Sequence, residues 1–407
     1  MSWIFSRKKE DFFLVLDIGT KAVKSLFCFK NETKLHILSG AVKNFSQYES
    51  HNQQLVESAK ATVSDSFKNG IKNISFSTID KEVKNSASKQ RKWKTILTFS
   101  PDVFKARIVS KRVTRENKKR KITPKEEKKI LKDAAESAKK EVLKEFSLKS
   151  GIQSSDIYFV SSKAFDFKID GYSVDDIDGF EGKEIEVKII FTFIPLSYWK
   201  ALMEITNVLK KEIKIVSIIH LAEGLLAFKD IRNGLFIDIG GRITQYFRVK
   251  NSQLAESSEF DSGASGFSEL LSNDLGIGND LAENMQELYS DKLLSRESSV
   301  KVKEIFSLPK NNWYNRLIEE INKKDENAFS PYIYLFGGGG ALPEIQDVFK
   351  ERAESSGRDL YISGPPETNL LLFEDLKNNA EDTTKKINKP QWTPAALIAN
   401  KYAQENI

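Results

Sequence analysis

The chain carries the same short device twice, Val15-Leu-Asp-Ile-Gly-Thr20 within Phe12–Phe29 and Phe236-Ile-Asp-Ile-Gly-Gly241 within Leu235–Asn251. Each reads as a buried strand that ends in Asp-x-Gly, turns tightly and returns as a second β-rich strand. Glycine at such a turn lets the main chain approach a ligand closely, and successive N–H groups there form a nest suited to phosphate oxygens. The aspartate at each strand end can hold Mg²⁺ through water, because that ion keeps part of its hydration shell. Two such hairpins facing one another would clamp a nucleotide.

A third element follows. Pro331-Tyr-Ile-Tyr-Leu-Phe336 reads as a buried strand running into Gly337-Gly-Gly-Gly340, with a helix opening near Pro343. The glycines let the main chain pass against a base or an α-phosphate, and the next helix N-terminus offers unpaired donors. Any one of these pieces alone is a common turn. The order hairpin, hairpin, glycine loop, spread over the whole chain, is far more specific.

Leu14–Thr20, Leu235–Thr244 and Tyr334–Leu342 resemble the phosphate-1, phosphate-2 and adenosine motifs of the actin-like ATPase superfamily. Within it the chain is most similar to the FtsA family of bacterial cell division, with PilM of type IV pilus assembly second. Asp17-Ile-Gly-Thr20 with Val23-Lys24, Gly179-Phe-Glu-Gly182 before Ile185–Phe191, and Asp274-Leu-Gly-Ile277 with Asp280–Glu283 carry that likeness. It implies an α/β, actin-like (ribonuclease H-like) two-lobed ATPase core with an inserted α+β subdomain in the first lobe.

The resemblance further implies ATP and Mg as cofactors. Asp17, Gly19, Thr20 and Lys21 would face the terminal phosphates, Asp238, Gly240, Gly241 and Thr244 the other side, and Gly337, Gly338 and Gly339 the adenosine. Glu283 joins this nucleotide set, and Asp17 and Asp238 would hold Mg through water. Two readings stand for His220 and Glu223: a catalytic pair that orients the attacking water, or interlobe packing and capping groups. The phosphate-2 ending departs from the family, with Arg242-Ile-Thr244-Gln245 in place of a third glycine and Thr-x-Asp. Gln286 stands where FtsA often has a lysine. These departures imply nucleotide binding with, at most, slow ATP hydrolysis.

Length and patterning suggest how the chain is divided. At 407 residues it is too long for one core. The expected first lobe is 11–80 with 184–230, including strands Leu35–Val42 and Ile74–Thr78 around a helix Gln53–Lys68. A basic stretch opens the expected insert at 81–183. Within it Thr123-Pro124-Lys-Glu126 starts a helix to about Phe146, with Ile130, Ala134, Ala138, Val142 and Phe146 on one face. The second lobe is expected at 231–265 and 331–403, with a short helical insertion at 266–330. In FtsA that last region docks the tail of FtsZ, the tubulin-like ring protein; the compact form here is nearer to PilM.

Composition narrows the setting. The one cysteine, Cys28, cannot form an intramolecular disulfide and falls in an apolar strand, which fits a reduced, cytoplasmic protein. One Cys and 3 His cannot build a Cys/His metal cluster. No stretch reaches the roughly 20 apolar residues of a membrane span. Trp3, Ile4 and Phe5 beside Arg7-Lys-Lys9 read either as a frayed terminus or as a contact with the inner face of the cell membrane. Thr393–Tyr402 reads as the last domain helix, so a membrane helix of the kind FtsA carries beyond that point is not expected from these residues. The run Lys111–Lys121 reads as a solvated face rather than a nucleic-acid footprint, given a formal charge of only +6.

Two classes of function compete. The first is an ATP-binding scaffold or filament protein that self-associates and links partners to the membrane. Those partners would be FtsZ-like and other division proteins, or a pilus inner-membrane protein in the PilM-like alternative. The second is a small-molecule kinase of the same superfamily, which needs a substrate base between the lobes.

Overall fold

The computed structural model describes residues 11–32, 34–45, 52–74, 92–228, 231–323, 330–355, 365–376 and 380–405. Strand β1 (Asp11–Ile18) is buried at every position after Asp11, because it lies inside a sheet. It pairs antiparallel with β2 (Ala22–Lys30), which pairs antiparallel with β3 (Leu35–Asn44). Helix α1 (Asn52–Lys72) follows, and β4 (Trp93–Phe99) lies parallel to β1 on its other side. β4 was expected within the basic insert. Only its Lys94 is exposed, as befits a strand between parallel neighbours. The lysines around it had masked a core strand.

The insert lies in sequence between β4 and the last strand of that sheet. Its compact unit is Val103–Met203 with Ala255–Ser257, later than the expected 81–183. It holds β5 (Lys105–Thr114), α2 (Pro124–Ser150), β6 (Ile157–Ile169), β7 (Tyr172–Val174) and β8 (Glu184–Pro195), with sheet order β5-β8-β6-β7. β8, expected to re-enter the first lobe, is antiparallel to both β5 and β6. Its alternate residues Val187, Ile189, Phe191 and Phe193 bury against Ala134, Ala138, Val142 and Phe146 of α2. That matched apolar face decides its sheet.

Local chemistry sets the limits of α2. Thr123 Oγ1 accepts from Glu126 N–H at 3.3 Å, Pro124 opens the helix, and Gly151 ends it at φ +72°. Arg115, in the basic run, is buried: its guanidinium donates to both Glu126 carboxylate oxygens and to the carbonyls of Gly182 and Arg120. The Gly179–Gly182 segment is therefore a staple within this unit.

Helix α3 (Leu196–Thr206) leads to β9 (Ile213–Ile218), parallel to β4, and then to the short α4 (Leu221–Leu226). A second sheet begins with β10 (Gly234–Ile239), β11 (Thr244–Lys250) and β12 (Gln253–Phe260). After α5 (Ser265–Leu275), α6 (Asn279–Ser290) and α7 (Arg296–Asn322) come β13 (Tyr332–Phe336), α8 (Pro343–Ser355) and β14 (Glu367–Leu370). Its order β12-β11-β10-β13-β14 repeats β3-β2-β1-β4-β9. β10 is antiparallel to β11 and parallel to β13, as β1 is to β2 and β4. Segment 266–330 is no separate insertion: Phe267, Phe306, Trp313 and Leu317 share one core with Ile237 and Leu335.

The chain's last part also differs from expectation. β15 (Ala380–Asp382) pairs parallel with β3, and α9 (Thr393–Glu405) packs on β1, β2 and β4. Residues 380–405 thus belong to the first sheet rather than the second lobe. Phe13 and Tyr402 rings lie 4.8 Å apart, and a Cβ on Gly224 of α4 would meet Leu397 at 3.2 Å. No helix among the described residues is long and apolar enough to cross a membrane. Trp3, Ile4 and Phe5, the expected strand beyond Ile74, and residues 81–91 lie outside the described residues.

Candidate functional site

The two Asp-x-Gly hairpins are built alike. In the first, Asp17 faces Lys24 across the ladder and Gly19 N–H donates to Ala22 O at 3.0 Å. In the second, Asp238 faces Gln245 and Gly240 N–H donates to Ile243 O at 3.0 Å. Their tips meet: Arg242 N–H donates to Thr20 Oγ1 at 3.2 Å, and a Cβ on Gly241 would lie 2.8 Å from Lys21 Cβ. Behind the second tip, Ala264 and Ser265 N–H groups donate to Gly240 and Gly241 carbonyls at 2.9 and 2.7 Å. Gly263 makes this approach possible, since a Cβ there would lie 2.5 Å from Gly241 O. The small residues Ser262–Gly266 were its only sequence signal.

The glycine loop closes on the same place. Gly337 has φ +79°, donates its N–H to Pro390 O at 3.0 Å, and leaves only 2.2 Å between a notional Cβ and Asp238 Oδ1. Gly339 packs its backbone on Ile239, whereas a Cβ on Gly338 would meet nothing within 4 Å. A Cβ at Gly337 would fill the space that Asp238 needs; one at Gly338 would project into open space.

Together these elements line a cavity of about 570 Å³. Asp17, Gly19, Thr20, Lys21, His220, Asp238, Gly240, Gly241, Glu283, Gly337, Gly338 and Gly339 are on its wall. Thr244 and Glu223 are not. Thr244 Oγ1 donates to Ser262 O at 2.6 Å and accepts from Trp313 Nε1–H at 2.9 Å inside the second core. Strand alternation puts Gln245 on the cavity wall instead. Glu223 and His220 form a capping box on α4: Glu223 Oε2 accepts from His220 N–H and His220 Nδ1 from Ala222 N–H, each at 3.0 Å. The capping reading therefore describes Glu223 and His220. His220 Nε2 lies 3.4 Å from the Gln245 amide nitrogen.

Charge is concentrated at the hairpins. Lys24 Nζ lies 2.9 Å from Asp17 Oδ2. Burial works against the Lys24 ammonium, but the charge and hydrogen bond of Asp17, with the charge of Asp238, outweigh it and raise its pKa. Burial pushes the Asp238 carboxyl up to about 7 against the pull of Lys24, and the like charge of Asp17 adds to the rise. Lys21 Nζ pairs with Glu283 Oε1 at 3.1 Å, and Lys389 Nζ with Asp291 Oδ2 at 2.9 Å. Lys24, Gln245, Gly263 and the Lys389–Gln391 segment are site residues that sequence reasoning missed.

These residues fit the implied ligands. Among the described residues no group of three or more His, Cys, Asp or Glu side chains can cage a metal. Two carboxylates on one cavity wall suit Mg²⁺, which takes one or two carboxylates and completes its shell with water and phosphate. The backbone turns and lysines suit phosphate, and the open space at Gly338 suits a flat group.

No family model matches the chain, and no curated protein does. Among solved structures, the PilM-PilN type IV pilus biogenesis complex is similar at 13% identity over 97% of this chain and 98% of the matched chain, with TM-score 0.59. Ethanolamine utilization protein EutJ from Carboxydothermus hydrogenoformans is similar at 10% identity over 95% and 89%, with TM-score 0.49. MreB 5 of Spiroplasma citri bound to AMPPNP is similar at 11% identity over 97% and 96%, with TM-score 0.44. The chain has the actin-like ATPase fold, two ribonuclease H-like sheets of the same topology with an α+β subdomain inserted in the first.

Proposed function

We propose that this protein binds ATP with Mg²⁺ in the cavity between its two sheets and works as a nucleotide-dependent scaffold for a protein partner, of the PilM kind in type IV pilus assembly. One observation carries the binding reading: Asp17 and Asp238, equivalent in two repeated hairpins, line one cavity with Gly337 against Asp238. Asp17 and Asp238 would hold Mg²⁺ through water, and the ion would offset the negative charge of the phosphates. Thr20 and Lys21 from one side, and Gly240 and Gly241 from the other, would receive the phosphates. Gly337–Gly339 would pass along the adenosine.

The partner role rests on the end-to-end likeness to the PilM chain, whose structure is that of a complex with PilN. An FtsA-like division role rests on the sequence motifs alone, so the pilus reading is preferred. Hydrolysis, where it occurs, would depend on Gln245 and the buried ring of His220 rather than on Glu223, whose carboxylate is engaged in a helix cap.

Equilibrium binding of a fluorescent ATP analogue, with and without Mg²⁺, tests the site. Asp238→Asn should weaken Mg²⁺-dependent binding by at least about tenfold while the fold persists. Unchanged affinity would remove Asp238 from the site. Rapid phosphorylation of a small hydroxyl compound, with no partner captured, would favour a kinase instead.

A further inference from the structure

The basic run after β5 does not stand alone in the folded chain. Its turn at Lys118 and Lys119 is tied to the Gly179–Gly182 loop, since Gly182 N–H donates to Lys118 O at 3.1 Å. Beyond the turn, Ile122 N–H donates to Phe180 O at 2.8 Å and Gly179 N–H to Ile122 O at 2.9 Å. Arg115 fastens both segments, through Arg120 O and Gly182 O. On the other side of the loop, a Cβ on Gly182 would meet Ile169 of β6 at 2.1 Å. The two segments form one stapled platform with little room to fold away.

Burial sorts its side chains into two sets. Ile122 and Ile177 fill a small core beneath, together with Ile130, Ile169 and Ile185. Phe180 is left outside that core at 46% exposure and makes no ring contact with a described residue. Lys118, Lys119, Arg120, Lys121 and Lys183 are exposed beside it, and none is ion-paired with a described residue. Several acids nearby are already engaged: Asp170 accepts the N–H groups of Lys183 and Glu184, Glu126 holds Arg115, and Asp176 and Asp178 act on Glu127 of α2. In the two segments themselves only Glu116 and Glu181 oppose the five cations.

Cations around an open aromatic ring are the two components of an interfacial membrane contact. The ring enters the headgroup boundary while ammonium and guanidinium groups meet anionic lipid. We propose that this platform, Lys118–Lys121 and Lys183 beside Phe180, binds the surface of an anionic bilayer. The formal charge of only +6 disfavours a nucleic acid. An acidic protein would use the cations and leave the phenyl ring idle. Trp3-Ile-Phe5 with Arg7-Lys-Lys9 repeats the same chemistry in the sequence, and stable attachment to a membrane takes two weak signals of this kind. The platform lies in the Val103–Met203 unit and holds no residue of the cavity wall, so its failure would leave the nucleotide reading untouched.

The test is co-sedimentation of the full chain with vesicles of phosphatidylcholine plus phosphatidylserine, and with vesicles of phosphatidylcholine alone. The wild type should pellet only with the anionic vesicles, and less so as salt is raised. Lys118→Gln/Lys119→Gln/Lys121→Gln should weaken binding by at least about tenfold. Phe180→Ser should weaken it about three- to tenfold with an unchanged unfolding curve, because its ring is half open to water. Lys140→Gln/Lys144→Gln/Lys350→Gln removes the same charge from exposed positions outside the platform and should bind within about twofold of the wild type.

Equal loss in that control would assign the effect to net charge, and the proposal would fall. It would fall too if Trp3→Ser/Phe5→Ser abolished binding while the platform variants kept it. Capture of the wild type by polyglutamate or a DNA duplex, with no pelleting on anionic vesicles, would give the platform to another class of partner and overturn the membrane assignment.

Discussion

Lys24 Nζ sits 2.9 Å from Asp17 Oδ2, and the charge of Asp238 from the other hairpin also bears on the same ammonium. One cation thus serves two carboxylates that arrive from separate sheets. This arrangement keeps a concentration of negative charge at the junction without a buried like-charge pair left unanswered.

Gly337 and Gly338 are adjacent but should respond in opposite ways. Gly337→Ala puts a methyl group at 2.2 Å from Asp238 Oδ1 and strains a residue at φ +79°. It should destabilise the fold by about 2–4 kcal/mol in thermal or urea unfolding. Gly338→Val has open space for its side chain and should unfold like the wild type while losing ATP affinity. Full ATP binding in Gly338→Val would place the base elsewhere.

Thr244 and Gln245 test strand parity. Thr244→Val leaves Trp313 Nε1–H and Ser262 O without their partner and should cost about 2–3 kcal/mol of stability. ATP affinity, corrected for the unfolded fraction, should stay within about twofold. Gln245→Ala should do the reverse, with stability changed little and phosphate release slowed. A stability loss from Gln245→Ala larger than that from Thr244→Val would contradict this assignment.

Acid should weaken the Arg115 clamp. The hydrogen bond from Arg115, with smaller charge effects, holds the Glu126 carboxyl below its usual range despite some opposing burial. A lowered carboxylate pKa adds stability that is present above the unfolded pKa and is lost as pH falls through the folded one. Wild-type stability in urea should therefore drop below about pH 4.5 more steeply than that of Glu126→Gln. At neutral pH the variant should be weaker by only about 1 kcal/mol, because Glu126 is partly open to water. Parallel pH profiles would show that the pair contributes nothing.

Arg115→Ala removes the buried half of that clamp. It should cost more than Glu126→Gln, about 3 kcal/mol, because the carbonyls of Gly182 and Arg120 lose their donor along with the carboxylate. Unfolding monitored in the Val103–Met203 unit, for example by hydrogen exchange, should show the loss confined to its loops and the start of α2.

Some of this was legible in the residues themselves. The buried face of α2, its Thr123 cap and Pro124 start, and the two Asp-x-Gly turns follow from interactions within a few residues. Helical period, cap geometry and glycine's freedom operate at that range. The helix runs a turn past the expected Phe146 to Ser150, where Gly151 takes the left-handed conformation.

What the sequence by itself determined, then, were local devices: a strand that must end just before Gly19, a turn that must bend at Gly19, a helix that must start at Pro124. The tertiary structure decided which partners those devices meet. β8 could not be assigned to its sheet until α2 supplied the matching apolar face, and β15 and α9 join the first sheet far from their sequence neighbours. Whether Thr244 or Gln245 faces the cavity turns on a register of one residue, and Glu283 meets Lys21 only after two sheets have come together. Strand pairing and side-chain approach across hundreds of residues depend on burial that forms only in the folded chain, so no short window of sequence contains them.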